Sequence, residues 1–400
     1  MMKRGAWHQC GDKSQKFVQD QLDHENGKGV IMSPRDLSRD LAAKYAVSYR
    51  EREADILLDP QFYVPDFTND NLKSYQLTSF RDEISKLNSI SDPNLDLLAR
   101  ELQADNRELQ TAAIIAPAVV YEAARPDILK LNSRLFKASK NVGDVIGVPT
   151  YASVFLGRSL TSSDVAMDTL LSSATSLNAD GWYFGFEFDE DRIPVSMNSV
   201  LRYLRAGIIL ACTGRPVMSA YAGPLALLSF SSGISAVGIG HFQNLWNFTR
   251  ERWQEGEGGG GGGDAPSRYF SRSLWGTIIY LDETALLPQK IWQSVYQASP
   301  FTTEVEGGLA WSRWTSYKHL VYTIGMEAQI LSAYSTPRDS AAHAVDRLRG
   351  AITLHEEIAR LPLFLKDSTS SYQANWLAAL EQFLHDNNDD LNYLSLLQNS

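Results

Sequence analysis

Cysteine is scarce in this chain, with two among 400 residues. Cys10 and Cys212 form no Cys-x-x-Cys pair, which argues against a zinc site built from thiolates. Two such distant cysteines are typical of free thiols in a reducing compartment, and a single disulfide between them is the alternative. We therefore expect a cytoplasmic protein.

Long apolar runs are also absent. The longest, residues 206–212, is far shorter than the roughly 18–20 residues that a membrane-spanning helix needs. No apolar core follows the charged N-terminus, so no secretory signal is predicted. The formal net charge of −10 argues against broad, non-specific binding of nucleic acids, which requires a basic surface.

Sequence signatures of common enzymes are missing as well. The chain contains no Walker A pattern, no Gly-x-Ser-x-Gly elbow and no His-Glu-x-x-His motif. No Gly-x-Gly-x-x-Gly opens a helix after the first predicted strand, which argues against a dinucleotide-binding fold. No cofactor and no metal site are predicted. The sequence therefore indicates an architecture more directly than a reaction.

What the chain does contain is a regular alternation of two patterns. Short runs of apolar, β-branched and aromatic residues are each followed by a segment with helical periodicity, which is typical of parallel strands joined by crossover helices. The runs are residues 30–32, 54–58, 112–121, 148–156, 181–188, 216–221 and 234–239. With an eighth strand at 268–271 or at 277–281, this alternation predicts an α/β fold, a (β/α)₈ TIM-type barrel. An open, doubly wound sheet is the alternative.

The pattern changes after Leu287, where three helical segments follow at 317–333, 341–361 and 374–396. We therefore predict a barrel domain over residues 1–287 and a helical extension over 288–400. The extension is expected to pack on the barrel, on a protein partner or on a second copy of the chain. Six glycines, Gly258–Gly263, predict a flexible loop; a phosphate cradle would need a strand before and a helix after them.

Candidate site residues follow from the barrel topology, because the loops after the strands converge on one mouth. Asp59 directly follows the second run, in the unusual order Asp59-Pro60-Gln61, and Glu187 lies near the end of the fifth. A carboxylate at the mouth can act as a general acid, a general base or a cation ligand, and these two are the predicted catalytic residues. For each of them a structural role in its loop is the alternative.

Six further residues at predicted strand ends are the expected contacts of a substrate. Amide, hydroxyl and imidazole groups donate and accept hydrogen bonds, a glycine permits close approach of a ligand to the backbone, and an arginine pairs with anions. Glu122 could also face Glu187 across the mouth, as a glycosidase requires of its two carboxylates. The predicted contacts are Gln61, Glu122, Tyr221, Gly240, His241 and Arg268.

Three local sequences give a resemblance to a known family. Asp59-Pro60-Gln61, Tyr221-Ala222-Gly223 and Gly238-Ile239-Gly240 make residues 29–285 similar to the barrel of tRNA-guanine transglycosylases and their deazapurine-linked relatives. The resemblance implies base exchange by an aspartate and suggests Asp59 as the working carboxylate. The family's zinc site of three cysteines and a histidine has no counterpart here.

The main hypothesis is an enzyme, a transferase or hydrolase acting at a glycosidic or nucleobase centre on a small-molecule or nucleotide-like ligand. One alternative is a barrel without catalytic activity that binds or assembles through its C-terminal helices. Another is a metal-dependent hydrolase that uses the acidic residues around Glu187. No contact with a membrane is expected.

Overall fold

The computed structural model describes residues 2–76, 78–123, 125–188, 193–242, 245–253, 267–280, 283–308, 310–362 and 371–399. The glycine run Gly258–Gly263 lies outside these ranges. Within them Cys10 and Cys212 are not disulfide-bonded. No described helix combines the length and the apolar character needed to cross a membrane.

Eight parallel strands form the central sheet, and two further strands form a separate hairpin. The central strands are β1 (Gly5–Cys10), β2 (Gly29–Met32), β3 (Asp55–Leu58), β4 (Ile114–Ile115), β5 (Thr150–Leu156), β6 (Gly181–Phe186), β7 (Val217–Ser219) and β8 (Ala236–Gly240). The hairpin consists of β9 (Arg268–Ser271) and β10 (Gly276–Ile279).

The central sheet curls into a barrel because its first and last strands are neighbours. β1 pairs in parallel with both β2 and β8, and the order continues through β7, β6, β5 and β4 on one side and β3 on the other. Between β3 and β4 the backbone N–H of Ala112 donates to the carbonyl of Ile56 at 2.8 Å. The predicted (β/α)₈ barrel with a C-terminal helical extension is confirmed.

The position of the eighth strand is a correction to the sequence-based prediction. Both candidates, 268–271 and 277–281, fall on the hairpin, where β9 and β10 pair antiparallel to each other outside the barrel. The missing barrel strand is β1 at the N-terminus. It carries the polar residues His8 and Gln9, so it lacks the apolar pattern of the other seven strands, yet all six of its residues are buried.

Helices surround the barrel and extend beyond it. Those between the strands are α1 (Gln15–Leu22), α2 (Arg39–Arg50), α3 (Asp70–Lys73), α4 (Thr78–Leu87), α5 (Asp92–Leu109), α6 (Pro126–Ile146), α7 (Arg158–Thr161), α8 (Asp164–Ala174), α9 (Met197–Ala211) and α10 (Ala226–Ser229). The C-terminal helices are α11 (Gln289–Val295), α12 (Pro300–Glu306), α13 (Arg313–Ala333), α14 (Pro337–Ala359), α15 (Ser371–Asp386) and α16 (Asn388–Asn399).

The long helix α13 joins the extension to the barrel, because it packs on β1, β8 and the hairpin strand β9. Its Glu327 is fully buried, forms ion pairs with Arg272 of the hairpin and Arg347 of α14, and is hydrogen-bonded to His343 of α14. A buried carboxylate needs such partners to offset its lost hydration. The predicted domain boundary at residue 287 stays a prediction.

Side chains alternate between the inside and the outside of the barrel, as the two-residue period of a strand requires. In β6, Trp182, Phe184 and Phe186 point outward into the layer of helices, whereas Tyr183 points inward. The inward glycine Gly185 leaves room for a ring, since a Cβ there would lie 2.1 Å from Phe155. Aromatic side chains therefore fill the interior below the mouth.

Candidate functional site

Asp59 lies directly after β3, with its side chain inside the barrel mouth and 1% of its surface exposed. One carboxylate oxygen, Oδ1, accepts hydrogen bonds from the hydroxyl of Tyr63 at 2.6 Å and from the backbone N–H of Gln61 at 3.1 Å. The other, Oδ2, accepts from the hydroxyls of Tyr183 at 3.0 Å and Tyr221 at 3.4 Å. Three tyrosines from three different loops and strands thus converge on one carboxyl group.

Burial raises the pKa of Asp59 from 3.8 to about 6. Loss of hydration penalises the ionised form, and the hydrogen bonds from Tyr63, Gln61, Tyr183 and Tyr221 offset part of that penalty. A carboxyl group with this pKa can hold and release a proton near neutral pH. That property is what a general acid or base requires.

The backbone at two site residues adopts a conformation that favours glycine. Gln61 has φ 53° and Tyr221 has φ 52°, and for residues with a Cβ the left-handed region costs about 1 kcal/mol each. The amide nitrogen Nε2 of Gln61 donates to the hydroxyl of Tyr221 at 3.1 Å, so the two strained residues support each other. Strained backbone of this kind clusters at binding and catalytic sites.

Arg81 of α4 holds the Gln61 turn from behind. Its Nη2 donates to the carbonyls of Pro60 and Gln61 at 2.7 and 2.8 Å, and its guanidinium lies 4.4 Å from the ring centre of Phe62. Burial lowers the pKa of Arg81 to about 10, and the Asp59 carboxylate works in the opposite direction. Arg81 is a positioning residue, because it fixes the turn that carries Gln61 and contacts Asp59 through that turn only.

A second carboxylate, Asp36, reaches the same cavity from the loop after β2. It accepts hydrogen bonds from Ser33 at 2.8 Å, from Arg35 at 2.9 Å and from Arg252 at 2.6 Å. Ser33 also donates to the side-chain oxygen of Gln61 at 3.0 Å, which connects Asp36 to the Asp59 turn. Ser33 and Arg35 lie within three residues of Asp36, whereas Arg252 lies 216 residues further along the chain, so no short sequence motif contains this set.

Aromatic rings cover the Asp59 side of the mouth. The ring centre of Tyr63 lies 3.9 Å from that of Phe155, 5.4 Å from that of Phe248 and 5.5 Å from that of Trp253. Phe248 also contacts the rings of Phe155 and Trp253. These rings exclude water from the tyrosine hydroxyls, and this exclusion is the origin of the desolvation at Asp59.

Glu187 lies inside a separate cluster of charges. Its carboxylate accepts from the backbone N–H of Arg158 at 3.1 Å and from the backbone N–H of Arg250 at 2.9 Å, and Nε of Arg250 donates to it at 3.0 Å. Arg250 also pairs with Glu122, and Arg158 pairs with Glu251. The predicted pair Glu122 and Glu187 is thus brought together, but around an arginine instead of a cavity.

His241 and Gly240 follow the alternation of β8 and do not line the cavity at Asp59. His241 points outward, is fully buried, and has its ring centre 5.6 Å from those of Phe17 and His8. Burial lowers its pKa well below 6.5, and the neighbouring His8 adds to the effect. Gly240 faces inward, where a Cβ would lie 2.0 Å from Cβ of Leu245, so its small size is used for packing.

Arg268 lies on β9, and the hairpin packs on α13 outside the barrel. Of the eight predicted residues, the structure therefore brings three, Asp59, Gln61 and Tyr221, into one cavity. Glu122 and Glu187 lie in the neighbouring ion cluster, and Gly240, His241 and Arg268 lie outside both groups. The roles in catalysis and binding predicted for all eight stay predictions.

Sequence reasoning missed Tyr183, Asp36 and Arg81 as parts of the site. A signal existed for Tyr183, because the alternation of β6 points it inward beside the end of β3. No local signal existed for Asp36, whose partner Arg252 is 216 residues away. Across the described ranges, no three side chains of His, Cys, Asp or Glu are placed to share a metal ion. Part of the acidic stretch after Glu187 lies outside these ranges.

The nearly closed barrel of eight parallel strands, with a buried polar site at their carboxyl ends, defines a protein of the (β/α)₈-barrel class. No protein-family model matches the chain, and no curated protein matches its sequence. Among solved structures it is similar to the CBM22-1–GH10 modules of the Clostridium thermocellum N-terminal endo-1,4-β-D-xylanase 10B, complexed with xylohexaose. The identity is 11% and the TM-score 0.36, over 59% of this chain and 58% of that one, so the match spans less than two thirds of the xylanase chain.

Proposed function

We propose that this barrel is an enzyme acting at a glycosidic or nucleobase centre, with Asp59 as the working carboxylate. The observation that carries the proposal is the environment of Asp59: a buried carboxyl group with a pKa of about 6, bound by three tyrosine hydroxyls beside a polar cavity. A buried carboxyl group with a raised pKa in a cleft is a marker of catalytic sites.

The chemistry follows from the two protonation states of Asp59. In its protonated form it can give its proton to the leaving oxygen or nitrogen while the bond to the sugar carbon breaks. In its ionised form it can attack that carbon or take a proton from water. The tyrosine hydroxyls donate to the ionised form, so they stabilise the carboxylate that remains after proton transfer.

Asp36 is the second carboxylate that reaches this cavity. To Glu187 we assign a positioning role, because the Glu187 carboxylate accepts hydrogen bonds from the backbone and the side chain of Arg250, two residues before Arg252. Glu187 therefore holds the segment that carries Arg252 against the mouth. Glycoside hydrolysis and base exchange both need a carboxylate and a shielded sugar carbon, and the two reactions differ in the acceptor, water or a free base.

The experiment is a turnover assay at pH 6 with aryl glycosides and with nucleosides, in the presence and absence of free nucleobases. Release of the aglycone or base in the absence of free nucleobases identifies a hydrolase, and incorporation of a labelled free base identifies a transferase. Asp59→Asn should lower kcat/KM by about 10²–10⁴-fold, the range for loss of a general acid or base. The pH profile of kcat/KM should show an apparent pKa near 6.

Asp105→Asn is the matched control, since burial also raises the pKa of Asp105, to about 7, on α5 outside the barrel. It should keep the activity of the native protein. Equal activity of Asp59→Asn and the native protein on every accepted substrate would show that Asp59 is not the working carboxylate.

A second candidate function, assembly through the C-terminal helices, has support of its own on α16. Tyr393 and Leu396 are 48% and 71% exposed and lie three residues apart on one face of that helix. An apolar face at the end of an extension is typical of a contact with another protein or a second copy.

Leu396→Glu should lower the mass measured by light scattering if the chain self-associates through α16. Val165→Glu, at a 78% exposed valine on α8, is the control. An unchanged mass would argue against self-association through this face.

A further inference from the structure

A small cavity lies between the Asp59 turn and the segment after β8. Its volume is about 10 Å³, room for one water molecule or one oxygen atom of a ligand. The polar side chains that line it include Gln9, Ser33, Asp36, Asp59, Gln61 and Arg252. Leu245 lines it from the segment after β8.

Arg252 is the cation of this cavity, and only 5% of its side chain is exposed. Its Nη2 forms the ion pair with Asp36 at 2.6 Å, but Nε and Nη1 have no hydrogen-bond partner within the described part of the chain. Leaving a buried charged donor without a partner is costly, and native structures rarely do so without a reason. Nε and Nη1 of Arg252 therefore indicate that a hydrogen-bond acceptor of a ligand binds at this point.

The local balance of charge indicates which charge the acceptor group of a ligand carries. Arg35 and Arg252 both pair with Asp36, so two guanidinium groups share one carboxylate. Nε of Arg35 is also buried without a partner, and the Nη2 group of Arg35 donates to the carbonyl of Arg252 at 2.9 Å. Asp59 also lines the cavity, and the buried guanidinium of Arg81 lies behind its turn. Three guanidinium groups therefore face two carboxyl groups, so one positive charge lacks a counter-ion and an anionic oxygen suits it better than a neutral one.

The guanidinium of Arg252 is held in place before any ligand arrives. It lies 5.7 Å from the ring centre of Tyr221 and 5.4 Å from that of Trp253. Contacts with aromatic faces and the bond to Asp36 restrict its rotation, which reduces the entropy lost when an anion binds. A lysine in this position would supply neither a planar group that stacks on the rings nor donors on several different nitrogen atoms.

We propose that Arg252 binds an anionic oxygen of the ligand, so the substrate is a small molecule that carries a carboxylate or a phosphate group. One oxygen of that group enters the cavity between Asp59 and Arg252. The inference rests on the proposed function in one respect, because it places the substrate in the same pocket as Asp59. The binding of an anion by Arg252 can be measured without any turnover.

The test is calorimetric titration of the full-length protein with inorganic phosphate and, separately, with acetate at constant ionic strength. The stronger of the two ligands identifies the group that the substrate carries. Arg252→Gln should weaken binding of that anion at least about tenfold, the equivalent of one charge-assisted hydrogen bond. Arg125→Gln removes an exposed arginine paired with Asp127 and should leave the affinity unchanged.

Asp36→Asn is expected to change the affinity for the anion in the opposite direction. It also tests the inference independently if Arg252→Gln does not fold. It removes the carboxylate that neutralises Arg252, so it should tighten anion binding by about three- to tenfold. Absence of binding of both anions to the native protein, or equal affinities in the native protein, Arg252→Gln and Asp36→Asn, would overturn the inference.

Asp59→Asn separates this inference from the proposed function. It should bind the anion at least as tightly as the native protein while turnover is lost. If anion binding depends on Arg252 but no substrate is turned over, the proposed function fails and the anion site stands. If Asp59→Asn abolishes turnover while Arg252→Gln leaves anion binding unchanged, the reverse holds.

Discussion

Replacing Asp59 with asparagine should change how the stability of the protein depends on pH. The side-chain oxygen of asparagine can still accept from Tyr63 and from the backbone N–H of Gln61. Its amide group can donate to the hydroxyls of Tyr183 and Tyr221, which accept as well as donate. The substitution thus removes the charge and keeps the hydrogen-bonded arrangement.

The magnitude follows from the pKa of the native carboxyl group. The pKa rises from 3.8 to about 6 on folding, so between these two values the folded state binds more protons than the unfolded state. The associated stability is present in full below pH 3.8 and is lost as the pH rises through 6. This difference between the folded and unfolded pKa corresponds to about 3 kcal/mol in the free energy of unfolding, of which about 2.5 kcal/mol is lost between pH 4 and pH 8.

Urea denaturation of the native protein and of Asp59→Asn at pH 4, 6 and 8 measures this effect. The difference between their free energies of unfolding should shift by about 2.5 kcal/mol in favour of the variant from pH 4 to pH 8. Any loss of packing caused by the amide group contributes equally at both pH values and cancels in that shift. Asp12→Asn, at an exposed aspartate, should give a profile parallel to that of the native protein.

Parallel profiles for Asp59→Asn and the native protein would refute the reasoning. They would mean that the tyrosine hydroxyls compensate the lost hydration of Asp59 completely, so that its pKa is the same in the folded and unfolded states. The proposal of a general acid near neutral pH would then lose its main support.

Three further predictions concern the structure around the site. Gly240→Ala should lower the free energy of unfolding by about 1–3 kcal/mol, because the new Cβ would lie 2.0 Å from Cβ of Leu245. Burial lowers the pKa of His8 to about 4. The stability that neutral His8 contributes is therefore present in full above pH 6.5 and falls by up to about 3 kcal/mol as the pH drops to 4. His8→Gln should flatten this acid branch in urea denaturation. Glu327→Ala leaves two arginines and a histidine without their buried partner and should cost about 3–5 kcal/mol.

Each of the three has its own check. Gly350→Ala on α14, where nothing lies within 4 Å of a new Cβ, should stabilise the protein by about 0.5–1 kcal/mol, and a similar gain for Gly240→Ala would contradict the packing argument. An acid branch as steep in His8→Gln as in the native protein would assign the acid loss to other groups. For Glu327, a cost below about 1 kcal/mol would show that the extension is held by apolar contacts alone.

The sequence by itself determined the class of fold and part of the site, because both depend on local patterns. The alternation of strands and helices made parallel strands and a barrel the expected architecture, and seven of the eight barrel strands were found from their apolar residues. Since the ends of parallel strands meet at one mouth, the sequence alone groups the polar residues Asp59, Gln61 and Tyr221.

Tertiary structure alone decided the rest. β1 is recognisable as a strand only from its two neighbours, which bury His8 and Gln9 that a local pattern assigns to the surface. The meeting of Asp36 with Arg252 joins residues 216 positions apart, and no short-range pattern records such a contact. Glu187 shows the same limit in reverse, because an acidic residue at a strand end reads as catalytic until the arginine that binds it is located. Charges and hydrogen bonds act through space, so the partner of a polar side chain depends on how the chain folds back.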